Sequence, residues 1–223
     1  METAIIIPAY NEEKTLKNVI LGVRKYHPHN IIIVCSPKSK DRTFQIAKEF
    51  ADNVLIDPGK GKGAALKFAI KAIKAENLVF FDADGSHEPA DIPKLIEPLV
   101  KNRADMVVAS RLRGGSDEFH GSFINFSKVT ITHFIQLLIN YRWGVDLTDS
   151  ENGFRAIKRN IAKRLRLKAN DFDIEQEMVL KCLKKGFRIV EIPSHEYTRQ
   201  GGKPKLNVWK SGWKFIWRLK DLI

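Results

Sequence analysis

The stretch LVFFDADGSHEP, residues 78–89, places two aspartates directly behind a run of four apolar residues. Such a run is typical of a short strand buried on both faces, as strands of parallel sheets are. If the extended chain continues past Phe81, Asp82 and Asp84 point to the same side, because side chains alternate along a strand. Two carboxylates about 5 Å apart repel by roughly 3 kcal/mol at an effective dielectric constant near 20. A hard divalent cation between them is one answer, and capping or solvation of a loop is the simpler alternative.

Apolar runs alternate with helical patterns through the first 110 residues. The predicted strands are residues 4–7, 31–35, 54–56, 78–81 and 106–110, and the predicted helices are residues 12–26, 41–51, 62–75 and 89–102. This alternation predicts an α/β fold, with a mainly parallel, Rossmann-like sheet and helices on both faces. Ligands of such sheets bind at the carboxyl ends of the strands, which is where Asp82 and Asp84 fall.

The pattern changes after Arg111, where glycine-containing loops separate the periodic segments. We expect helices near residues 122–140, 158–167 and 172–185, and strands near residues 153–157 and 187–191. Neither an internal repeat nor a low-complexity linker divides the chain, so the second half is expected to elaborate the same domain.

The composition describes a folded, basic protein. The 223 residues are 43% hydrophobic and 29% charged, with a net charge of +12, which points to a polyanionic partner such as nucleic acid, phosphorylated ligands or an anionic membrane. Cys35 and Cys182 are too few for a disulfide framework or a zinc site, so a reducing cytosol is expected. We predict neither a signal peptide nor a transmembrane span.

Two further stretches follow predicted strands. GKGKGAAL, residues 59–66, leads into a helix whose free N–H groups are suited to a phosphate, although a solvated turn is the alternative and the Walker pattern is missing. In IPAYNEEKTL, residues 7–16, Asn11, Glu12 and Glu13 suit a helix cap and first turn. The functional alternative is that Tyr10 and Glu12 line the ligand crevice.

Basic residues recur at loop positions, namely Arg111, Lys128, Arg155 and the segment 199–205. Each of them alone is more often a solvated surface charge. Several that converge could hold a phosphate, because hydrogen bonds to charged groups contribute about 1.5–3 kcal/mol each.

The last 18 residues, LNVWKSGWKFIWRLKDLI, form an unusual segment. At helical spacing, one stripe carries three tryptophans and the neighbouring stripe carries cations. The tryptophans are Trp209, Trp213 and Trp217, and the cations are Lys210, Lys214 and Arg218. The segment is either a helix packed on the core or an amphipathic helix that lies in a membrane interface.

Seven motifs, in order along the chain, resemble those of the inverting family 2 glycosyltransferases with the GT-A fold. The likeness is greatest to the dolichyl-phosphate mannosyltransferase, or polyprenyl-phosphate hexosyltransferase, branch, and it covers nearly the whole chain. The motifs are IPAYNEE (7–13), GKGAAL (61–66), DADGSHEP (82–89), Ser110-Arg111, NGFRA (152–156), IEQEM (174–178) and R-x-x-G-x-P-K (199–205).

The resemblance implies a role for each matching residue. The donor-binding residues would be Pro8, Tyr10, Glu12, Lys62 and Asp82, and the ligands of a Mg²⁺ or Mn²⁺ ion would be Asp82, Asp84 and Ser86. Phosphates would be contacted by Arg111, Lys128 and Arg199, the last two on the acceptor side together with Lys205. The catalytic set would be Asp82, Asp84, Arg111, Lys128 and Arg199.

The chain departs from the family pattern at three places. Where the family has Asp-Asp-Gly-Ser after the second strand, this chain reads VCSPKSKDRT, residues 34–43. An acidic contact to the nucleobase is therefore missing there, and the identity of the nucleotide-sugar donor stays open. A family glutamine is replaced by Ser86, a weaker metal ligand. The family's Ser-Lys ending is Pro204-Lys205, which removes a hydroxyl.

The resemblance implies a metal-dependent enzyme that transfers a hexose, with mannose favoured, from GDP-mannose or a UDP-hexose to a polyprenyl (dolichyl) phosphate. We expect residues 1–110 to bind the nucleotide sugar, residues 111–204 to bind the acceptor, and residues 205–223 to contact the cytoplasmic face of a membrane. A separate membrane-anchor subunit is a further expected partner.

Two alternatives remain at this point. One is the same chemistry with a glycan or a small phosphorylated acceptor. The other is a basic nucleic-acid-binding module, which the charge alone suggests. That module is disfavoured because the basic residues are dispersed and no such motif is recognisable, so no nucleic-acid partner is expected.

Overall fold

The computed structural model describes residues 2–117 and 123–201, excluding the side chains of residues 123–129 and 131. The strands are β1 (Thr3–Ala9), β2 (Ile31–Cys35), β3 (Asn53–Ile56), β4 (Asn77–Phe80), β5 (Met106–Ser110), β6 (Arg155–Lys158) and β7 (Ile189–Pro193). The helices are α1 (Leu16–Tyr26), α2 (Thr43–Phe50), α3 (Lys62–Ala72), α4 (Ile92–Val100), α5 (Arg111–Gly114), α6 (Phe123–Trp143), α7 (Arg159–Arg164) and α8 (Ile174–Lys184). A 3-10 turn, Pro89–Asp91, precedes α4.

The seven strands form one sheet in the order β3-β2-β1-β4-β6-β5-β7. Every pairing is parallel except those of β6, which runs antiparallel between β4 and β5. The mainly parallel, doubly wound sheet expected from the sequence is therefore confirmed. The strand order reverses between β1 and β4, and such a switch point opens a crevice at the carboxyl ends of the strands.

Helices cover both faces of the sheet, as expected. Along β1, Ile5 and Ile7 face one hydrophobic core while Ile6 faces the other, because side chains alternate along a strand. Helices α1, α2 and α4 pack on the first face, and α3, α7 and α8 pack on the second. The two cores hold the carboxyl ends of β1 to β4 in fixed positions, and the loops that follow them are positioned in turn.

The chain after β1 differs from its prediction. Helix α1 begins at Leu16 rather than at residue 12, and Asn11, with φ of 54°, belongs to a turn and does not cap the helix. The backbone N–H of Glu12 donates to Thr43 Oγ1 at 2.8 Å, and the Glu12 side chain is buried. Long-range contacts hold this segment out of the helix, so Glu12 faces the interior.

The chain after β4 also differs, because β4 ends at Phe80 and the two aspartates lie in a turn. Gly85 has φ of 77°, in the left-handed region, and allows the chain to reverse there. The alternation of a continuing strand is therefore not what brings Asp82 and Asp84 to one side.

In the described part of the chain, no helix combines the length and apolar character needed to cross a bilayer. The tryptophan-rich segment 205–223, including Lys205, lies outside the described residues.

Candidate active site

Seven of the predicted site residues line one cavity of about 420 Å³ at the carboxyl edge of the sheet. They come from the end of β1, the start of α3, the turn after β4 and the chain beyond β7. The seven are Pro8, Tyr10, Glu12, Lys62, Asp82, Asp84 and Arg199. The structure thus brings together residues that are up to 191 positions apart, from Pro8 to Arg199.

Asp82 lies between two partners. Lys62 Nζ is 2.6 Å from its Oδ1, and His87 Nε2 is 3.3 Å from its Oδ2. The imidazole of His87 is held by Phe154, on which it stacks with ring centroids 5.2 Å apart. Burial raises the pKa of Asp82, but the charge of Lys62 and the contacts with His87 lower it by more, so the pKa lies well below its usual range.

Lys62 is shared between two carboxylates. Its ammonium also lies 2.9 Å from Oε1 of Glu175, a buried residue at the start of α8. Burial alone would lower the pKa of Lys62, but Asp82 and Glu175 raise it above the ordinary value. Lys62 therefore carries a positive charge in the cavity wall.

Asp84 joins its own turn to Arg199. Its Oδ1 accepts hydrogen bonds from the backbone N–H of Ser86 at 3.0 Å and from the Ser86 hydroxyl at 2.7 Å. Its Oδ2 lies 2.7 Å from Arg199 Nη2. Arg199 Nη1 is 3.7 Å from Glu12 Oε1 and is a buried donor without a hydrogen-bond acceptor among the described residues. An anion in the cavity would provide that acceptor.

The segment after β7 reaches Asp84 by running along the turn that follows β4. The N–H of Tyr197 donates to Ser86 O at 2.8 Å, and the N–H of Gln200 donates to Asp84 O at 3.1 Å. These bonds place Arg199 over the cavity. This position depends on tertiary pairing between segments more than 100 residues apart.

Glycines in two of the motifs allow close approaches. A Cβ atom on Gly153 would lie 2.5 Å from Asp82 Oδ2 and 2.9 Å from Lys62 Nζ. A Cβ atom on Gly63 would lie 2.7 Å from the backbone oxygen of Ala169. Larger residues at these positions would displace the charged side chains or the loop before α8.

The other four predicted site residues are not among the described residues that line the cavity. Arg111 is bound by two hydrogen bonds to Asp149, at 2.6 and 3.0 Å, and lies 3.6 Å from Glu196, and it is not among the residues that line the cavity. Lys128 belongs to α6, and its side chain is outside the described part, as is Lys205. Ser86 is buried, and its hydroxyl donates to Asp84. The roles expected of these residues stay predictions.

Arg155 corrects the sequence interpretation. The sequence predicts a loop cation, either solvated or phosphate-binding, but Arg155 is the first residue of β6 and is 1% exposed. Its guanidinium donates to the backbone oxygens of Ser150, Asn152 and Glu175. Arg155 therefore holds the loop before β6 against α8, because buried carbonyl groups need donors.

Sequence reasoning missed several residues around the site. Glu175 pairs with Lys62, Asp149 pairs with Arg111, and Asp57 lines the cavity at the end of β3. Glu175 lies in the motif IEQEM, and Asp57 directly follows a predicted strand, which is a usable signal. The pairing of Glu175 had no local signal.

The model of the family described as Glycosyl transferase family 2 matches residues 4–166. The chain belongs to this family. The matched segment contains Asp82, Asp84 and Arg111, whereas Arg199 lies beyond it. This member of the family is therefore a glycosyltransferase.

Relatives within the family carry specific names. The UDP-N-acetylglucosamine–dolichyl-phosphate N-acetylglucosaminyltransferase of Methanococcus voltae is 32% identical over 247 residues, covering 96% of this chain and 93% of that protein. The dolichol-phosphate mannosyltransferase of Pyrococcus furiosus is 29% identical over 222 residues, covering 92% of this chain but 59% of that protein. This chain therefore spans less than two thirds of the mannosyltransferase.

A solved structure confirms the GT-A fold of this family member. Glucosyl-3-phosphoglycerate synthase from Mycobacterium tuberculosis, crystallised with Mn²⁺, uridine diphosphate and phosphoglyceric acid, superposes with a TM-score of 0.75. The sequence identity is 20%, and the match covers 99% of this chain and 78% of that chain.

Proposed function

We propose that this enzyme transfers a hexose from a nucleotide sugar to a polyprenyl (dolichyl) phosphate at the cytoplasmic face of a membrane, with inversion at the anomeric carbon. The observation that carries the proposal is the cavity wall in which Asp82 and Asp84 alternate with Lys62 and Arg199. The names of the archaeal relatives support the acceptor. Mannose is the sugar that we expect, and N-acetylglucosamine is its main competitor.

The wall suits a diphosphate that arrives with a cation. Lys62 and Arg199 are the positive groups paired with the two aspartates. Arg199 Nη1, which has no hydrogen-bond acceptor among the described residues, is available to a phosphate oxygen. Hydrogen bonds from charged donors to phosphate are strong, at about 1.5–3 kcal/mol each. Asp82 and Asp84 would repel the diphosphate unless a metal ion lies between them.

The donor set fits Mg²⁺ or Mn²⁺. Among the described residues, no group of three or more His, Cys, Asp or Glu side chains could hold a metal ion. A site made by Asp82 and Asp84 alone suits Mg²⁺, which commonly binds one or two carboxylates and completes its shell with water and phosphate oxygens. When bound, the ion would stabilise the negative charge of the leaving diphosphate.

The acceptor needs little activation. A phosphate monoester has a second pKa of about 6, so its oxygen is already an anion near neutral pH and can attack without a strong general base. One bond forms between that oxygen and the anomeric carbon, and the bond from that carbon to the nucleoside diphosphate breaks. The chain's contribution is to orient the two phosphates and to offset their charge.

A membrane acceptor requires a membrane-facing surface. Phe134, Leu137 and Tyr141 lie on one face of α6 and are 61%, 65% and 92% exposed. The sequence of segment 205–223 carries three tryptophans interleaved with lysines and an arginine. We propose that both contact an anionic bilayer peripherally, alone or beside a separate membrane-anchor subunit.

Donor binding tests the first half of the proposal. The melting temperature is measured with GDP-mannose, UDP-glucose and UDP-N-acetylglucosamine, each with and without Mn²⁺. Ligand at a hundredfold excess over its dissociation constant stabilises a protein by about 2.7 kcal/mol, so one metal-dependent shift identifies the donor. The absence of a shift with every donor would contradict the proposal.

Product formation tests the second half. Labelled sugar from the identified donor is followed into dolichyl phosphate, and into 3-phosphoglycerate as a soluble phosphate acceptor. We expect transfer to the lipid alone. Transfer to the soluble acid, or to neither, would retain the donor chemistry but overturn the proposed acceptor.

A further inference from the structure

Asp57 is a buried carboxylate in the cavity wall, beside the edge strand β3. It follows the last residue of β3, is 8% exposed and lines the cavity wall. In the order β3-β2-β1-β4, its strand is three places from the strand that precedes Asp82. At about 4.8 Å per strand, the two ends of the cavity are roughly 14 Å apart, a span suited to a nucleoside diphosphate.

Only part of the hydrogen-bonding capacity of Asp57 is used by the chain. Its Oδ1 accepts the backbone N–H of Gly59, which closes the turn after β3. Within residues 2–117 and 123–201, this carboxylate has no other hydrogen bond and no ion pair. Buried carboxylates ordinarily have partners, because desolvation without compensation is costly. Oδ2 is therefore the acceptor that a ligand in the cavity would use.

The environment of Asp57 favours a heterocycle. Val34, Ala65 and Pro8 give the same cavity an apolar wall, while Ser36 and the exposed Lys38 stand at the end of β2. Burial raises the pKa of Asp57, and the Gly59 N–H and the charge of Lys38 oppose that rise. The carboxylate of Asp57 would repel an anionic phosphate, whereas it would not repel a base that donates an N–H.

We propose that Asp57 selects the nucleobase of the donor by accepting the ring N–H of a lactam base, which uracil and guanine possess. Cytosine and adenine carry a lone pair at the corresponding ring nitrogen and would face the carboxylate oxygen with no proton between them. The proposal rests on the proposed function, since it assigns the base end of the same donor site. In this proposal, the carboxylate that contacts the nucleobase follows β3.

The substitution Asp57→Asn replaces the acceptor Oδ2 with a hydrogen-bond donor while preserving the turn. The amide oxygen of asparagine can still accept the Gly59 N–H, which leaves the NH₂ group where Oδ2 was. The ring N–H of a lactam base would then face the NH₂ group of asparagine, and two donors would oppose each other. The ring nitrogen of cytosine or adenine would instead accept a hydrogen bond from that NH₂ group. A site whose polar groups mismatch a ligand rejects it strongly.

The experiment measures dissociation constants of UDP, GDP, CDP and ADP with Mn²⁺ at pH 7.5, for the unsubstituted protein and Asp57→Asn. Asp146→Asn is the matched control, because its side chain is 95% exposed. We expect UDP or GDP to bind the unsubstituted protein and the control at least about tenfold more tightly than CDP and ADP. Asp57→Asn should weaken the preferred nucleotide about tenfold to a hundredfold and reverse the ranking.

The outcomes separate this inference from the proposed function. If the unsubstituted protein binds none of the four, the proposed function fails. If it binds CDP or ADP as tightly as UDP or GDP, or if Asp57→Asn weakens all four equally, the nucleotide site stands and Asp57 only closes its turn. If Asp57→Asn does not fold, Asp57→Ser, whose hydroxyl suits the same turn, is measured and should flatten the ranking.

Discussion

The ammonium nitrogen of Lys62 lies 2.6 Å from Oδ1 of Asp82. The lysine begins α3 and the aspartate follows β4, so the contact joins two loops at the carboxyl edge of the sheet. Because Lys62 also lies 2.9 Å from Glu175 Oε1, one cation serves two carboxylates. The lysine therefore offsets carboxylate charge at this corner of the cavity.

Replacing Lys62 with methionine should destabilise the protein by about 3 kcal/mol, because it leaves Asp82 and Glu175 without their shared cation. Chemical denaturation at pH 7 measures the loss. Lys60→Met is the matched control, since Lys60 is exposed in the same loop and should change the stability by less than about 0.5 kcal/mol. Equal losses in both variants would contradict the structural role of the pair.

Asp84→Asn should remove the charge of the side chain while preserving the geometry of the turn after β4. The amide oxygen can still accept the Ser86 N–H, so we expect a stability change of only about 1 kcal/mol. The lost charge should weaken Mn²⁺-dependent donor binding at least about tenfold, which titration calorimetry with and without Mn²⁺ will detect. Unchanged metal-dependent binding would remove Asp84 from the proposed metal site.

Gly153→Ala should disturb the site without changing any charge. The added methyl group would lie 2.5 Å from Asp82 Oδ2 and 2.9 Å from Lys62 Nζ, so one of them must move. We expect a loss of about 1–3 kcal/mol and weaker donor binding. In Gly22→Ala, the new contact with Pro89 is 3.3 Å, and its effect on binding should be negligible. A Gly153→Ala variant with unchanged melting temperature and affinity would refute the close approach.

Glu151 should make stability depend on pH in a defined direction. Burial raises its pKa from 4.5 to about 7, Asp149 adds to the rise and Arg111 opposes it. Since the folded state resists ionisation, its stability should fall as the pH rises from about 4.5 to about 7, and the full cost persists above that range. Glu151→Gln should therefore stabilise the protein by about 1–3 kcal/mol at pH 8 and much less at pH 5.

Melting curves of Glu151→Gln at both pH values test this prediction. Glu49→Gln removes a carboxylate that is exposed on α2 and should have the same small effect at pH 5 and pH 8. A Glu151→Gln variant whose stabilisation is larger at pH 5 would reverse the sign and refute the assignment.

Membrane contact should depend on the exposed apolar residues of α6 and on the tryptophans of segment 205–223. Replacing Phe134, Leu137 and Tyr141 with serine, or the three tail tryptophans with alanine, should lower partitioning to anionic vesicles about tenfold each. Sedimentation with vesicles of 30% anionic lipid, compared with neutral vesicles, measures the effect. If both triple variants still sediment fully, another surface or a membrane-anchor subunit provides the attachment.

The local pattern was sufficient for the architecture. The runs Ile31–Cys35 and Met106–Ala109 are apolar throughout, and both lie in buried strands, because parallel strands covered by helices need apolar side chains on both faces. The approximate place of the aspartates, just beyond β4, followed from the same pattern. Boundaries were less accurate: α1 begins four residues later than predicted, because Glu12 and Thr15 bind partners outside the helix.

The partners of the site residues were not predictable in this way. The insertion of β6 antiparallel between β4 and β5 brings Gly153 against Asp82, and nothing in NGFRA indicates that neighbour. Among 38 lysines and arginines, local sequence does not specify which one reaches Asp84. The selection of Arg199 depends on backbone bonds between the segment after β7 and the turn after β4.

The sequence by itself determined the α/β class, the order of the strands along the chain, the strongly basic charge and the membership of the motifs in a glycosyltransferase pattern. These features depend on periodicity and composition, which act over a few residues. Only the tertiary structure decided that Lys62 pairs with Asp82 and that Arg199 pairs with Asp84. It also decided that Arg155 is buried against backbone carbonyl groups and that Asp57 lines the cavity. Such pairings arise when packing brings distant segments within hydrogen-bond distance, and local sequence does not encode that distance.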